Sequence, residues 1–152
     1  MDAMLLPANR SCPIARTLGV LGQKWNLLLL REAFLGRTKY AEFLRIGVPT
    51  ATLGARLQDL VDAGLLTRHA YQEKGERARD EYLLTQAGRD AMPILAALIG
   101  WGETHLPPVT AYAMTTGDGR PVRLAFVDDT GTVVDADAVA IAKKPEGAAT
   151  PG

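Results

Sequence analysis

The sequence predicts a mainly helical α+β domain: a run of helices, a small β-hairpin, one more helix and a C-terminal extension. Three observations predict it. Apolar residues recur at helical spacing across residues 13–63, in blocks separated by glycine-containing turns. Two short strand-like runs, 65–71 and 81–85, then bracket the polar tip QEKGERARD. A long apolar helical run follows, 86–105, and the character changes again after Pro107.

The elements follow in order. Residues 1–10 carry no pattern and are expected to form a flexible arm. Ser11-Cys12-Pro13 reads as a helix start, with Ser11 or Cys12 as cap and Pro13 in the first turn, where its missing N–H costs nothing. This helix runs to Leu21 and Gly22 closes it. A second helix begins near Lys24. Its run Leu27-Leu28-Leu29-Leu30 is apolar on every side, so it is central to the core. Gly36 ends it. Thr38 is the expected cap of a third helix, KYAEFLR, with Tyr40, Phe43 and Leu44 facing inward. Gly47-Val48-Pro49 makes a turn, and Thr50 is the expected cap of a fourth helix ending at Ala63-Gly64. Thr85 caps the fifth helix, in which Pro93 is expected to cause a kink. Residues 107–144 read as a small extension, with 122–128 and 133–142 forming a second hairpin around Asp129-Thr130-Gly131. Residues 145–152 read as a disordered tail.

Composition narrows the class. The chain has 152 residues, 47% of them apolar, which suits one folded domain rather than a disordered chain. No secretory leader and no apolar run long enough for a bilayer is visible, so a cytoplasmic location without membrane attachment is expected. A single cysteine excludes an internal disulfide framework and a multi-cysteine zinc site. Formal net charge is zero, yet residues 10–79 hold 12 Lys and Arg against 6 Asp and Glu. A basic segment on a neutral chain can still present an anion-binding face.

Helices followed by two strands around a basic tip is the order of a winged helix-turn-helix, with residues 38–45 and 50–63 as the helix-turn-helix unit. In the fourth helix Leu53, Leu57, Leu60 and Val61 share one face, while Thr52, Ala55, Arg56 and Asp59 lie on the other. A helix that enters the major groove needs one side held by the core and an exposed N-terminal part slim enough to approach base edges. Thr50, Ala51, Thr52, Ala55 and Arg56 fit that need: threonine can touch a thymine methyl, alanine permits close approach, and arginine reaches guanine or phosphate. Thr38, Lys39 and Tyr40, at the start of the third helix, are placed to hold phosphate on free N–H groups. Lys74, Arg77 and Arg79 at the wing tip would lie along the DNA backbone or in the minor groove. Asp59 would repel phosphate, so it is expected to point past the groove or to pair with a neighbour.

These motifs resemble the HxlR-type bacterial transcriptional regulators. The segments CPIARTLGVLGQKWNLLLLREAFLG, ATLGARLQDLVDAGLLTR, YQE, EYLLTQAGRD and IGWGETHL carry the likeness across residues 11–106. The resemblance implies a winged-helix domain, with a C-terminal dimerisation helix, that binds double-stranded DNA as a homodimer. The operator would be pseudo-palindromic and the usual role that of a repressor, sometimes an activator. It further implies that the N-terminal and fifth helices build the dimer interface, here through Ile14, Leu18, Leu95, Leu98, Ile99 and Trp101. The spread of apolar residues around the fifth helix independently asks for cover on two sides.

Other candidates carry less chemistry. Cys12 lies at a helix start between Arg10 and Arg16, a setting that favours thiol reactivity, and some HxlR-type proteins sense oxidants through a cysteine at the matching position; the plain alternative is a small packed residue. Trp25 and Trp101 read as core or interface anchors, with a small-molecule effector pocket as the alternative. His69 and His105 have no carboxylates at metal-ligand spacing, and Asp128-Asp129 reads as a turn. No catalytic constellation, cofactor motif or metal site is visible, so an enzyme is not expected. The rival readings are a thiol-switched regulator acting through Cys12 and a winged-helix protein-interaction module without DNA binding.

Overall fold

The computed structural model describes residues 7–106 and 112–144. The first helices run α1 (Pro7–Arg10), α2 (Pro13–Leu21), α3 (Lys24–Phe34) and α4 (Tyr40–Phe43), which passes into a 3₁₀ turn, Leu44–Ile46. After α5 (Thr50–Asp62) come β1 (Leu66–Tyr71) and β2 (Arg79–Leu84), then α6 (Gln86–Arg89) and α7 (Met92–His105). Beyond them lie β3 (Phe126–Val127), β4 (Val133–Val134) and a 3₁₀ turn, Ala136–Ala138. This is the α+β class expected. The chain divides into two units, Met1–Leu95 and Ala96–Gly152, with the boundary inside α7.

In the first unit, α3 and α5 pack together, and α5 also meets β1. Leu29, Leu30, Phe43, Leu53, Leu57, Leu60 and Leu66 are fully buried in one cluster. Full burial of a leucine is worth about 1.5–3 kcal/mol, so the three leucines of α5 pin that helix firmly. Tyr82 of β2 closes the cluster edge-to-face on Phe43, ring centroids 6.2 Å apart. The hairpin is antiparallel, with Leu66 opposite Leu84 and Tyr71 opposite Arg79. On the other side of β2, Lys39 forms a bridge with Glu81, and the Tyr82 N–H donates to Thr38 O at 2.8 Å. The segment before α4 is thereby laid against the hairpin.

Several local expectations change. Residues 7–10, within the expected flexible arm, are helical; the rest of that arm and the 145–152 tail lie outside the described residues. The third helix is a single α-turn, because its chain tightens to 3₁₀ at Leu44 and reverses at Gly47, φ +81°. Lys39, not Thr38, is its N-cap: Lys39 is the extended residue bridged to Glu81, and Thr38 lies one position earlier, its carbonyl accepting from Tyr82 N–H. Pro49, not Thr50, caps α5, since its carbonyl accepts from Thr52 and Leu53 N–H at 2.8 and 3.0 Å and leaves Thr50 as the first helical residue. Pro93 causes no kink. The run breaks at Asp90-Ala91, and Pro93 sits in the first turn of α7, where no N–H is required. Thr85 does cap, its hydroxyl accepting from Gly88 N–H at 3.0 Å.

In the second unit the expected hairpin is present but each strand has only two residues, Phe126 opposite Val134 and Val127 opposite Val133. Asp128 shapes its turn, accepting from the N–H and hydroxyl of Thr130 and from Thr132 N–H. Those bonds, the Thr130 hydroxyl foremost, hold its carboxyl below the usual range. That is the role of a turn residue, not half of a catalytic dyad.

Gly88 sits hard against the Leu65 backbone. A Cβ there would collide with the backbone oxygen of Leu65. Gly88→Ala is expected to cost about 1–3 kcal/mol through overpacking, read as a fall in the urea midpoint at unchanged slope.

Candidate nucleic-acid interface

The turn at Gly47 and the buried leucines of α5 fix which side of that helix faces out. Thr50, Ala51, Gly54, Ala55 and Gln58 are exposed, whereas Thr52 and Arg56 are half-buried at the flank. The outward stripe therefore runs Ala51, Gly54, Ala55, Gln58. Gly54 and Gln58 were not singled out from the sequence, although the spacing opposite Leu53, Leu57 and Leu60 contained the signal. Among the described residues, nothing beyond its chain neighbours and its own helix's backbone lies within 4 Å of where a Gly54 Cβ would be. The Tyr40 hydroxyl donates to Thr50 O at 3.3 Å and ties α4 to the start of α5.

The phosphate site expected at Thr38, Lys39 and Tyr40 has a different arrangement. Glu42 Oε2 accepts the N–H groups of Thr38 and Lys39 at 2.9 and 3.0 Å, so neither is open to a ligand. These bonds, Lys39's first, lower the Glu42 carboxyl below its ordinary value of 4.5. The α5 N-terminus is more open. Among the described residues, the N–H groups of Thr50 and Ala51 have no acceptor.

The cations are also engaged. Lys39 Nζ lies 2.8 Å from Glu73 Oε1 and 5.0 Å from the Tyr71 ring centroid. Arg56 Nη1 pairs with Asp59 Oδ2 at 3.0 Å, the neighbour contact foreseen for Asp59, while its Nε is buried without a partner. Arg79 Nη2 is 3.6 Å from Glu76 Oε2. Lys74 and Arg77 are exposed at the tip around Gly75, with no carboxylate partner among the described residues. The tip is less basic than its three cations suggest, because Glu73, Glu76, Asp80 and Glu81 lie in the same loop and strand.

The remaining candidates fall elsewhere. Ile14 and Leu18, one turn apart on α2, are 61% and 58% exposed. Leu98 and Trp101 of α7 are exposed, Ile99 is half-buried, and Leu95 belongs to the core cluster rather than to a free face. Cys12 is the N-cap residue of α2, half-buried, with no side-chain capping bond. Trp25 is packed against the core with Lys24 Nζ 4.9 Å from its ring centroid, and the Trp101 and His105 rings meet at a tilt of 41°, centroids 5.0 Å apart. Among the described residues no cluster of His, Cys, Asp and Glu could hold a metal, and no helix is long and apolar enough to cross a membrane.

A helix-turn-helix followed by an antiparallel hairpin defines the winged-helix class of transcriptional regulator. The profile of the HxlR-like helix-turn-helix family matches residues 20–110, and the chain belongs to that family. It is 38% identical over 117 residues to an uncharacterized HTH-type transcriptional regulator of Mycobacterium tuberculosis, covering 73% of each chain. Its fold is similar to the solved structure of PA1607, described as a candidate transcription factor, with TM-score 0.76, 33% identity, and 88% and 96% of the two chains covered. The oxidized redox regulator HypR matches with TM-score 0.57 and 31% identity over 64% of this chain and all of that one. The protein is thus a transcriptional regulator of the helix-turn-helix type and not an enzyme.

The Glu42 cap makes this region sensitive to acid. Its lowered carboxyl contributes stability that is present above the unfolded value near 4.5 and is lost as pH falls through the folded value. Between about pH 5 and pH 3, wild type should therefore lose more stability than Glu42→Gln in urea titrations.

Proposed function

We propose that this regulator binds a pseudo-palindromic operator as a homodimer, in the cytoplasm, and acts as a repressor. In each protomer the exposed stripe of α5 enters the major groove. Thr50, Ala51, Gly54, Ala55 and Gln58 meet the base edges, the open N–H groups at the start of α5 receive a phosphate, and Lys74 and Arg77 follow the backbone from the wing. Lys39, Arg56 and Arg79 complete the grip once released from their carboxylates.

The observation that carries this reading is Gly54. A glycine in the middle of a helix's exposed face costs about 1 kcal/mol relative to alanine, and among the described residues no neighbour outside the helix needs the space. A partner that approaches the backbone closely supplies the reason. Gly54→Ala is accordingly expected to raise thermal stability while weakening binding to genomic duplexes captured by the wild-type protein. If both stability and binding improve, α5 does not make the close approach. Wild-type affinity should also fall by roughly 10³–10⁵ between 50 and 200 mM salt if a dimer neutralises about six to ten phosphates.

The dimer reading rests on Ile14 and Leu18, neighbours on one face of α2 and both exposed. Their combined exposure suits a surface that a second copy covers. Leu18→Glu should convert a dimer to a monomer in analytical ultracentrifugation without loss of helicity. An unchanged sedimentation coefficient would move the interface elsewhere.

A further inference from the structure

Three of the five cations placed on the DNA-facing elements are already matched by a carboxylate: Lys39 by Glu73, Arg56 by Asp59 and Arg79 by Glu76. The pairs have different origins. Lys39 and Glu73 are 34 positions apart and are brought together by the bridge of Lys39 to β2, whereas the other two are three positions apart in the chain. The Glu73 contact raises the Lys39 pKa and lowers its own, so both directions agree that the pair is ionised at neutral pH. Lys74 and Arg77 alone of the five lack such a partner among the described residues.

We propose that Glu73, Asp59 and Glu76 are specificity-determining counter-ions that weaken binding to non-cognate duplex DNA. This rests on the DNA-binding reading above. Binding without sequence preference is driven by release of counter-ions as cations replace them on phosphate. A cation already held by a carboxylate must leave it first, and the freed carboxylate then faces the phosphates at close range. Both effects oppose a complex that has only phosphate contacts. A cognate duplex adds contacts to base edges along Ala51, Gly54, Ala55 and Gln58, and these offset the cost of opening the pairs. Exposed ion pairs are individually weak, so a fitting duplex can open them. The ratio of cognate to random affinity is therefore larger than the same cations would give alone, and the net-basic segment 10–79 does not act as an indiscriminate polyanion binder.

The test uses the full chain as wild type, E73Q, D59N, E76Q and the triple variant. Each is titrated by fluorescence anisotropy with a random-sequence duplex about two helical turns long and with a genomic duplex captured by the wild type, across a range of salt. The triple variant should bind random duplex on the order of tenfold tighter at low salt. Its slope against log salt should steepen by about 0.9 for each cation freed. Captured duplex should gain less, so the ratio falls. The E73Q gain should vanish in a K39M background, which ties it to that pair. D90N, an equal change of charge at the end of α6, should do little. The proposal is overturned if the triple variant matches wild type on random duplex, if D90N tightens binding as much, or if the E73Q gain persists with K39M. Wild type binding its captured duplex in those cases leaves the DNA-binding reading standing. If neither wild type nor the triple variant binds any duplex at low salt, that reading falls as well.

Discussion

Burial of Leu53, Leu57 and Leu60 in the cluster with Leu29, Leu30, Phe43 and Leu66 is the constraint from which the rest of the first unit follows. Three side chains spaced three and four positions apart leave α5 one rotational setting. That setting turns Ala51, Gly54, Ala55 and Gln58 outward and puts Arg56 at the flank, close enough to Asp59 for an ion pair. The same core fixes the hairpin through Leu66 and Tyr82. Through the bond from Tyr82 N–H to Thr38 O, it also fixes Lys39 beside Glu73. Rigidity of this face is borrowed from packing, as the proposed fit to a duplex requires.

The positions of the turns were legible in the sequence because glycine marks them chemically. Gly36, Gly47 and Gly64 all adopt positive φ at the ends of helical segments, where a side chain would be strained. Caps were less legible. Thr38 and Thr50 have the right chemistry, yet a cap is decided by where the backbone leaves the helix. A long-range bridge to β2 makes Lys39 the extended residue from which the helix starts, and Pro49 takes the position before Thr50. Thr85 had no such competitor and caps as expected. The fifth helix broke before Pro93: α6 ends at Arg89 with Asp90 as its C-cap, so proline falls in the first turn of a new helix rather than bending an old one.

Of the proposed site, the exposed face of α5 was legible in the sequence and the electrostatics around it were not. A tally of charge along the chain shows a basic segment, while the folded arrangement sets three of its five candidate DNA-contacting cations against carboxylates. The Arg56–Asp59 pair is visible as a three-residue spacing on a helix. The Lys39–Glu73 pair needs the topology, since nothing local connects two residues on opposite sides of the helix-turn-helix. The small stripe was half legible: the alanines drew notice, but Gly54 gains its meaning only from the empty space around it.

The central claim is that the outward face of α5, held by those leucines, is the surface a duplex meets. Amide chemical-shift mapping of the labelled protein during titration with a captured genomic duplex tests it most directly. The account predicts the largest shifts at Thr50, Ala51, Gly54, Ala55 and Gln58, with a second group at Lys74 and Arg77, and little change along α3. Shifts concentrated on α2 or on residues 126–134, with α5 unmoved, would contradict it.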